Sequence, residues 1–117
     1  GHVANPISFL SQSDLFVSSS AWEGFGNAIV EALGCGLPVV ATDCPSGPAE
    51  ILGWGEFGTL VEVGDVEAVA NAMMKTLKSP PSKTNQIARA HDFTAQESAA
   101  TYWRTLTSLK RSAKNRR

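Results

Sequence analysis

The first 74 residues of the sequence contain no lysine or arginine, and the whole chain lacks a long apolar run. Stretches such as Ala28–Val30 and Pro38–Ala41 are far shorter than the roughly 20 apolar residues that a transmembrane helix requires. With 43% hydrophobic and 18% charged residues, the composition is typical of a globular domain. The chain opens on Gly1-His2 without a signal-peptide pattern, which indicates a piece of a longer protein or an expression remnant.

Positive charge is concentrated at the other end of the chain. The last eight residues carry five basic side chains and no acidic one, whereas the residues before them hold eleven acidic against five basic side chains. A nucleic-acid-binding protein spreads its positive charge over the fold, so we expect no nucleic-acid partner. We interpret the basic end as solvated, with weak contact to an anionic membrane surface as the alternative. Its basic residues are Lys110, Arg111, Lys114, Arg116 and Arg117.

Cysteine is scarce as well. Cys35 and Cys44 have no companion histidine cluster and no further cysteines with which to form a framework. Such a pair is typical of free thiols in a reducing compartment. The sequence therefore predicts a cytoplasmic protein, and a disulfide between the two cysteines is the less favoured alternative.

Short apolar runs alternate with helical patterns along the chain. The runs at 14–18, 39–42 and 58–63 have the length of buried strands, and helical patterns cover 25–35, 48–52, 66–77 and the residues from about 95 onward. Each run is continuously apolar, which is typical of parallel strands that are covered on both faces. The sequence therefore predicts an α/β fold.

Two of the predicted helices carry apolar side chains at helical spacing. We expect the first face to pack on the sheet, and the second either to pack in the same way or to stay partly exposed. The first face consists of Val66, Val69, Ala70, Met73, Met74 and Leu77, and the second of Ala99, Tyr102, Trp103, Leu106 and Leu109.

The best place for a ligand is at the carboxyl ends of the strands, where ligands of open parallel sheets bind. Two loops leave strands in that direction, at 18–24 and 42–47. The first ends in Gly24-Phe25-Gly26, whose small residues let a ligand approach the free amides and the partial positive charge of a helix N-terminus. A tight turn that needs glycine only for its backbone angles is the alternative. In the second loop we assign Asp43, Ser46 and Gly47 to the same site.

Glu31 is the single charge on the helix predicted at 25–35. Its apolar neighbours predict that most of this helix is covered, so the carboxylate should face a cation, amide donors or a ligand, because an unpaired buried charge costs several kcal/mol. An ordinary structural pairing is the alternative. Glu31 follows Gly26 by roughly 7–8 Å along a helix, which is about the reach from a pyrophosphate to its ribose hydroxyls.

Glu23–Leu33 resembles the E-x7-E motif of retaining glycosyltransferases of family 4, which have the two-domain GT-B fold. The segments Gly36–Asp43 and Pro45–Leu52 are similar to the family's G-x-PVVATD strand and glycine-rich loop, and Gly58–Val61 with Gly64-Asp65 matches the stretch before the next helix. The resemblance covers nearly the whole chain. It implies a partial Rossmann-like parallel sheet with flanking helices, the second half of the C-terminal domain that binds a nucleotide sugar.

The resemblance also implies a role for each site residue. Glu31 would hold the ribose hydroxyls of a UDP- or GDP-sugar, and Glu23 would be the catalytic residue beside the donor sugar, as nucleophile or as orienting group. Transfer to a glycan or a lipid-linked acceptor would be retaining, without a metal or a cofactor. The donor-binding residues implied in this way are Gly24, Phe25, Gly26, Asn27, Ala28 and Glu31.

The same resemblance implies a division of the chain. Residues 1–93 would be the C-terminal part of the donor-binding domain, 94–112 a helix that packs back on it or crosses to a missing N-terminal domain, and 113–117 a basic tail. In the family, an arginine and a lysine that neutralise the phosphates lie upstream of the segment matched here. We therefore expect this piece to bind a nucleotide sugar weakly and to transfer nothing alone.

Two other functions remain open at this stage. One is a non-catalytic Rossmann-like module that binds another phosphorylated ligand, and the other is a sugar-nucleotide epimerase or a phosphorylase of related architecture. A nicotinamide-dependent enzyme is disfavoured because the third glycine of the dinucleotide fingerprint is absent. We expect Trp22 and Trp54 to pack against the fold, with Trp22, which borders Glu23, lining the site pocket as the alternative.

Overall fold

A computed structural model describes residues 2–114, and the side chains of residues 2–109. The chain forms short helices and strands in alternation, with one 3-10 turn at Gly53–Gly55. The strands are β1 (Phe16–Ser18), β2 (Val39–Thr42) and β3 (Thr59–Val61). The helices are α1 (Ile7–Leu10), α2 (Asn27–Gly34), α3 (Pro48–Ile51), α4 (Val66–Lys78), α5 (Lys83–His91) and α6 (Ala95–Lys114).

The three strands form one parallel sheet in the order β1-β2-β3. Phe16 pairs with Val39, and Val40 pairs with Thr59, so consecutive strands are neighbours in space. Parallel neighbours need a crossover, and helices supply it here. This arrangement confirms the α/β fold with a parallel sheet. All three strands end at the same edge of the sheet, which places the loops after β1 and β2 side by side.

The core forms around the central strand. All four residues of β2 are buried, because a parallel strand with helices on both faces has no solvated side. Ile29 and Leu33 of α2 and Ile51 of α3 pack against it, each at most 1% exposed. Burying a side chain of this size contributes about 1.5–3 kcal/mol, so α2 and α3, the helices that follow the two site loops, are fixed on the sheet.

Two helix ends follow their local sequence signals. The carboxylate of Asp65 accepts a 2.8 Å hydrogen bond from the amide of Ala68, which caps α4. α2 ends at Gly34, and Gly36 follows at a φ of +76°. The amides of Gly36 and Leu37 then reach back to the carbonyls of Leu33 and Ala32, which satisfies the last turn in the manner of a Schellman motif.

The sheet-facing side of α4 differs from the predicted one. Ala72 and Thr76 are buried, whereas Val66 is 80% and Met74 58% exposed. The inner stripe is spaced by three and four residues like the predicted one, but it is rotated around the helix. It consists of Val69, Ala72, Met73 and Thr76. Small side chains let α4 approach β2 and β3 closely, so the longer apolar side chains of the predicted stripe are left outside.

α6 has an apolar face that the rest of the described chain does not cover. Tyr102, Trp103, Leu106 and Leu109 are between 59% and 73% exposed. Of the two alternatives for this face, the exposed one is therefore correct. Among the helices that the structure describes, none combines the length and the hydropathy needed to cross a bilayer. The side chains of the basic end, residues 110–117, lie outside the described residues.

Candidate functional site

The loop after β1 is anchored by a buried threonine of the neighbouring strand. Thr42, 3% exposed, donates its hydroxyl to the carbonyl of Ser20 at 2.5 Å and lies 3.4 Å from that of Ser18. The hydroxyl of Ser20 in turn donates to the carboxylate of Glu23 at 2.7 Å. Glu23, half-buried, is therefore held in one orientation at the carboxyl edge of the sheet, above the ends of β1 and β2.

The loop after β2 touches the loop after β1 through Gly47. A β-carbon at this position would lie 1.8 Å from the carbonyl oxygen of Phe25. Gly47 also has a φ of +98°, and Ser46 before it has a φ of +68°, which is uncommon for a residue with a side chain. The predicted site residues Phe25, Ser46 and Gly47 are therefore adjacent, whereas Asp43 lies exposed at the start of the same loop.

The N-terminus of α2 opens at the same place. Gly26 is its N-cap with a φ of +99°, and a β-carbon there would lie 3.3 Å from both Ile29 and Ile51. No side chain caps the helix, and within the described part of the chain the amides of Asn27 and Ala28 have no acceptor. Two unsatisfied donors and the helix dipole therefore point out of the fold where both loops end.

The prediction that α2 is mostly covered is wrong at Glu31. Ile29, Ala32 and Leu33 are buried, but Asn27, Ala28, Glu31 and Gly34 are exposed and lie on one side of the helix. Among the described residues Glu31 has no hydrogen-bond or ion-pair partner. Small residues around Glu31 do not need burial, so its apolar neighbours in the sequence did not mean that its side chain lies in an apolar environment. Its exposed face is the one that begins with the free amides.

Gly24 and Trp22 lie on the open side of the first loop. A β-carbon on Gly24 would meet nothing within 4 Å. Trp22 and Trp54 are 70% and 77% exposed, so the expectation that they pack against the fold is wrong. Trp22 directly precedes Glu23 in the chain and leaves its ring exposed to solvent. The open space around this stretch contrasts with the close contact at Gly47.

Sequence reasoning missed Arg89 of α5. Its Nε donates to the carbonyl of Ile51 at 2.8 Å and its Nη2 to that of Glu50 at 2.6 Å, so it holds the end of α3. The only local signal is Asp92, three residues further on, which pairs with Arg89 at 2.8 Å. That spacing predicts an ion pair on one helix but gives no hint of the contact with α3.

Two cavities lie away from these loops. One, of about 260 Å³, is lined by Val39, Thr59 and Lys75 near the starts of β2 and β3. The other, of about 300 Å³, lies between α2 and α5 and is lined by Val30, Ile87 and Phe93. Neither contains Glu23, Gly26 or Glu31. Cys35 and Cys44 are both free, in agreement with the predicted thiols, and Cys44 is buried.

The family of the chain follows from comparison with known proteins. A model of the family described as glycosyl transferases group 1 matches residues 1–93. The chain therefore belongs to this family. The match begins at the first residue and ends at Phe93, just before α6. Assignment to family 4 and the predicted division into 1–93, 94–112 and 113–117 both remain predictions.

Individual relatives agree with the family. The chain is 54% identical over 52 residues to a protein of Methanocaldococcus jannaschii described as an uncharacterized glycosyltransferase, covering 44% of this chain and 13% of that protein. It is 40% identical over 75 residues to a 4-alpha-N-acetylgalactosaminyltransferase of Campylobacter jejuni that acts on a diphospho-undecaprenol-linked sugar, covering 64% of this chain and 20% of that protein. The chain thus spans a fifth or less of the length of these two relatives.

A solved structure supports the fold. The crystal structure of TarM superposes with a TM-score of 0.77 over 91% of this chain and 22% of that one, at 24% sequence identity. At this identity the likeness concerns the architecture alone. It agrees with the α/β arrangement predicted from the sequence, in which a parallel sheet of the GT-B type is flanked by helices.

Proposed function

We propose that this chain is the donor-binding portion of a glycosyltransferase that moves a sugar from a UDP- or GDP-sugar to a glycan or a lipid-linked acceptor. The observation that carries the proposal is the exposed face of α2. There the amides of Asn27 and Ala28 stand at the start of the helix and the carboxylate of Glu31 follows about one turn later, none of them with a partner among the described residues. Membership in the family supports the reaction class.

Each part of this face suits one part of a nucleotide sugar. The amides and the dipole of α2 favour the pyrophosphate. The two oxygens of Glu31 can accept hydrogen bonds from the two neighbouring hydroxyls of a ribose. Gly24, which faces open space, leaves room for the diphosphate beside Phe25 and Gly26, and the sugar would lie toward Glu23, whose carboxylate Ser20 orients. The second loop, with Asp43, Ser46 and Gly47, forms the opposite wall.

The transfer itself breaks the bond between the anomeric carbon and the diphosphate oxygen. The leaving diphosphate keeps the electron pair, the acceptor oxygen forms the new bond, and the acceptor proton is released. The start of α2 stabilises the negative charge that develops on the leaving group. Retention of configuration, with Glu23 as nucleophile or as orienting group, and independence from metals and cofactors are part of the proposal.

The acceptor class is proposed from a relative. The name of the Campylobacter jejuni protein describes a diphospho-undecaprenol-linked substrate. A lipid-linked acceptor at the cytoplasmic face of a membrane would also give a purpose to the five basic residues among the last eight. The proposed partners are therefore the nucleotide-sugar donor, a further domain of the same protein, and weakly a membrane surface.

The charge of the site explains why we expect weak binding. None of the first 74 residues is a lysine or arginine, and Arg89 is engaged by the carbonyls of α3. A diphosphate on α2 would therefore meet amides and a dipole but no free cation from this stretch. We propose that this piece alone binds nucleotide diphosphates weakly and transfers no sugar.

A nuclear magnetic resonance titration tests the proposal. UDP or GDP should shift the amide signals of Gly26, Asn27 and Ala28. Glu31→Gln should weaken the affinity measured from these shifts about tenfold, because hydrogen bonds to a charged group contribute about 1.5–3 kcal/mol. Glu67→Gln, at an exposed glutamate of α4, is the matched control and should leave the response unchanged.

The same titration separates the alternatives. A response to inorganic phosphate equal to that to UDP would favour a non-catalytic phosphate-binding module. If none of the three nucleotides UDP, GDP and ADP shifts the amide signals at the start of α2, the proposed donor site is wrong.

A further inference from the structure

Arg89 is connected to both walls of the candidate site, through α3 on one side and through Phe93 on the other. On one side its guanidinium donates to the carbonyls of Glu50 and Ile51 at the C-terminal end of α3. Carbonyls at a helix end lack helical partners, so a side-chain donor is needed there when the end is covered. α3 begins directly after Gly47, and this short helix connects the arginine to the wall formed by the second loop.

On the other side the same guanidinium stacks on aromatic rings. It lies 4.7 Å from the ring centre of Phe93 and 5.2 Å from that of Phe57. Phe93 packs edge-on against Phe25, with ring centres 5.8 Å apart and planes at 62°. Phe25 supplies the carbonyl that touches Gly47 and precedes the N-cap of α2. Arg89 therefore reaches the first loop through Phe93 and the second loop through α3.

The ion pair with Asp92 is not the main contact of this arginine. Asp92 is 59% exposed, and an exposed pair contributes about 0–1 kcal/mol. The side chain of Arg89 is only 18% exposed, and its guanidinium needs the carbonyl acceptors because a largely buried cation without acceptors is costly. A planar fork that serves two carbonyls and stacks on a ring at once is a property of arginine that lysine does not share.

We infer that Arg89 is a positioning residue of the donor site, which fixes the distance between the two loops before a donor arrives. The inference rests on the proposed function in taking the ligand to be a nucleotide-sugar donor. The claim that Arg89 holds the two loops together does not depend on it. Without the guanidinium, the end of α3 would lose two acceptor contacts and Phe93 would lose its stacked cation. Gly47 and Phe25 would then be free to move apart while the sheet stays intact.

Amide hydrogen exchange in three variants tests the structural part. The amides of Ile51 and Leu52 bond to the carbonyls of Gly47 and Pro48 and report on α3, whereas those of Val40 and Ala41 in the buried strand report on the whole fold. In Arg89→Met, exchange at Ile51 and Leu52 should accelerate at least about tenfold more than at Val40. Arg89→Lys should recover part of the protection.

The matched control is Arg104→Met, at an exposed arginine of α6 whose hydrogen bond, among the described residues, is to Thr101 of the same helix. It should leave exchange at all four amides unchanged. If Arg89→Met does not fold, Arg89→Lys makes the same comparison with a smaller expected difference. Exchange at Ile51 and Leu52 that stays unchanged, or that rises only as much as at Val40, would overturn the inference.

A UDP titration adds a functional readout. Each variant is titrated roughly 10–20 °C below its own unfolding midpoint, because mutations shift that midpoint by several degrees. Affinity at the Gly26 amide should fall in Arg89→Met, recover partly in Arg89→Lys and stay unchanged in Arg104→Met. Unchanged affinity in folded Arg89→Met would contradict the positioning role. Absence of any UDP response in the unaltered chain would contradict the proposed function, while the exchange experiment would still decide whether Arg89 holds the two loops.

Discussion

The loops after β1 and β2 meet at the same edge of the sheet, but they are held there by different means. The second loop is set by backbone geometry, with Gly47 at a φ of +98° and pressed against the carbonyl of Phe25. The first loop is set by hydrogen bonds, from Thr42 to the backbone and from Ser20 to Glu23, and its Gly24 faces open space. One wall of the site is thus closed by close backbone contact, whereas the other is held by hydrogen bonds and stays open at Gly24.

This difference suits the two tasks that a donor site has. The second loop carries no group assigned to the reaction and only shapes the cleft, so it should be rigid, because any movement would change that shape. The wall that carries Glu23 needs a defined side-chain orientation and free space beside it for the ligand. Substitutions in the two loops should therefore differ in kind: those in the second should cost stability, and those in the first should mainly cost binding.

The largest effect is expected at the closed wall. Gly47→Ala should lower the free energy of unfolding by about 3–5 kcal/mol, because it adds a collision with the backbone of Phe25 to the strain of a positive φ. Gly55→Ala is the matched control, since Gly55 has a φ of +102° and nothing within 4 Å. It should cost only the strain, about 1–2 kcal/mol. Urea unfolding followed by circular dichroism measures both.

The contrast between these two glycines isolates the contact from the backbone angle. Equal losses in Gly47→Ala and Gly55→Ala would mean that the second loop moves aside easily. The closed wall would then be no more rigid than the open one.

The sequence predicted those features of the two loops and their flanking elements that depend on residues close together in the chain. Continuous apolar runs indicated buried parallel strands, and strand ends indicated which loops meet. The helices predicted at 48–52 and 66–77 begin at the same residues as α3 and α4. Such signals are local, because a cap or a turn is decided within a few residues. The roles assigned to Glu23 and Glu31 stay predictions.

What the sequence did not reveal depends on packing between distant segments. Arg89 holds carbonyls 38 and 39 residues away, and no pattern near it indicates this. For α4, several faces have apolar spacing, and the fit of Ala72 and Thr76 to the sheet decided between them. Glu31 was expected to be enclosed because its neighbours are apolar, yet small residues such as Ala28 tolerate exposure.

A smaller effect is expected from the hydrogen bonds of the first loop. Thr42→Val keeps the shape of the side chain but leaves the carbonyl of Ser20 without its buried donor, which should cost about 1–2 kcal/mol. Thr59→Val, at an exposed threonine of β3, is the matched control and should change stability by no more than about 0.5 kcal/mol. Urea unfolding compares the two. Similar stability of both variants would mean that Thr42 does not hold the loop.

The smallest effect on stability, and the clearest on binding, is expected at Gly24. Its φ is not positive and a methyl group there would touch nothing, so Gly24→Ala should change the free energy of unfolding by no more than about 0.5 kcal/mol. If the diphosphate lies in that space, the methyl group should weaken UDP binding at least about fivefold, since overpacking costs about 1–3 kcal/mol.

Gly34→Ala is the control for this last comparison. Its β-carbon would meet Ala90 at an ordinary 3.8 Å, and it replaces a helical glycine, so stability should rise by up to about 1 kcal/mol while UDP affinity stays the same. Thermal unfolding and a UDP titration of both variants give the two quantities independently. Unchanged UDP affinity in Gly24→Ala would mean that the diphosphate does not occupy the empty space beside Gly24. The open wall would then be a turn rather than part of a binding site.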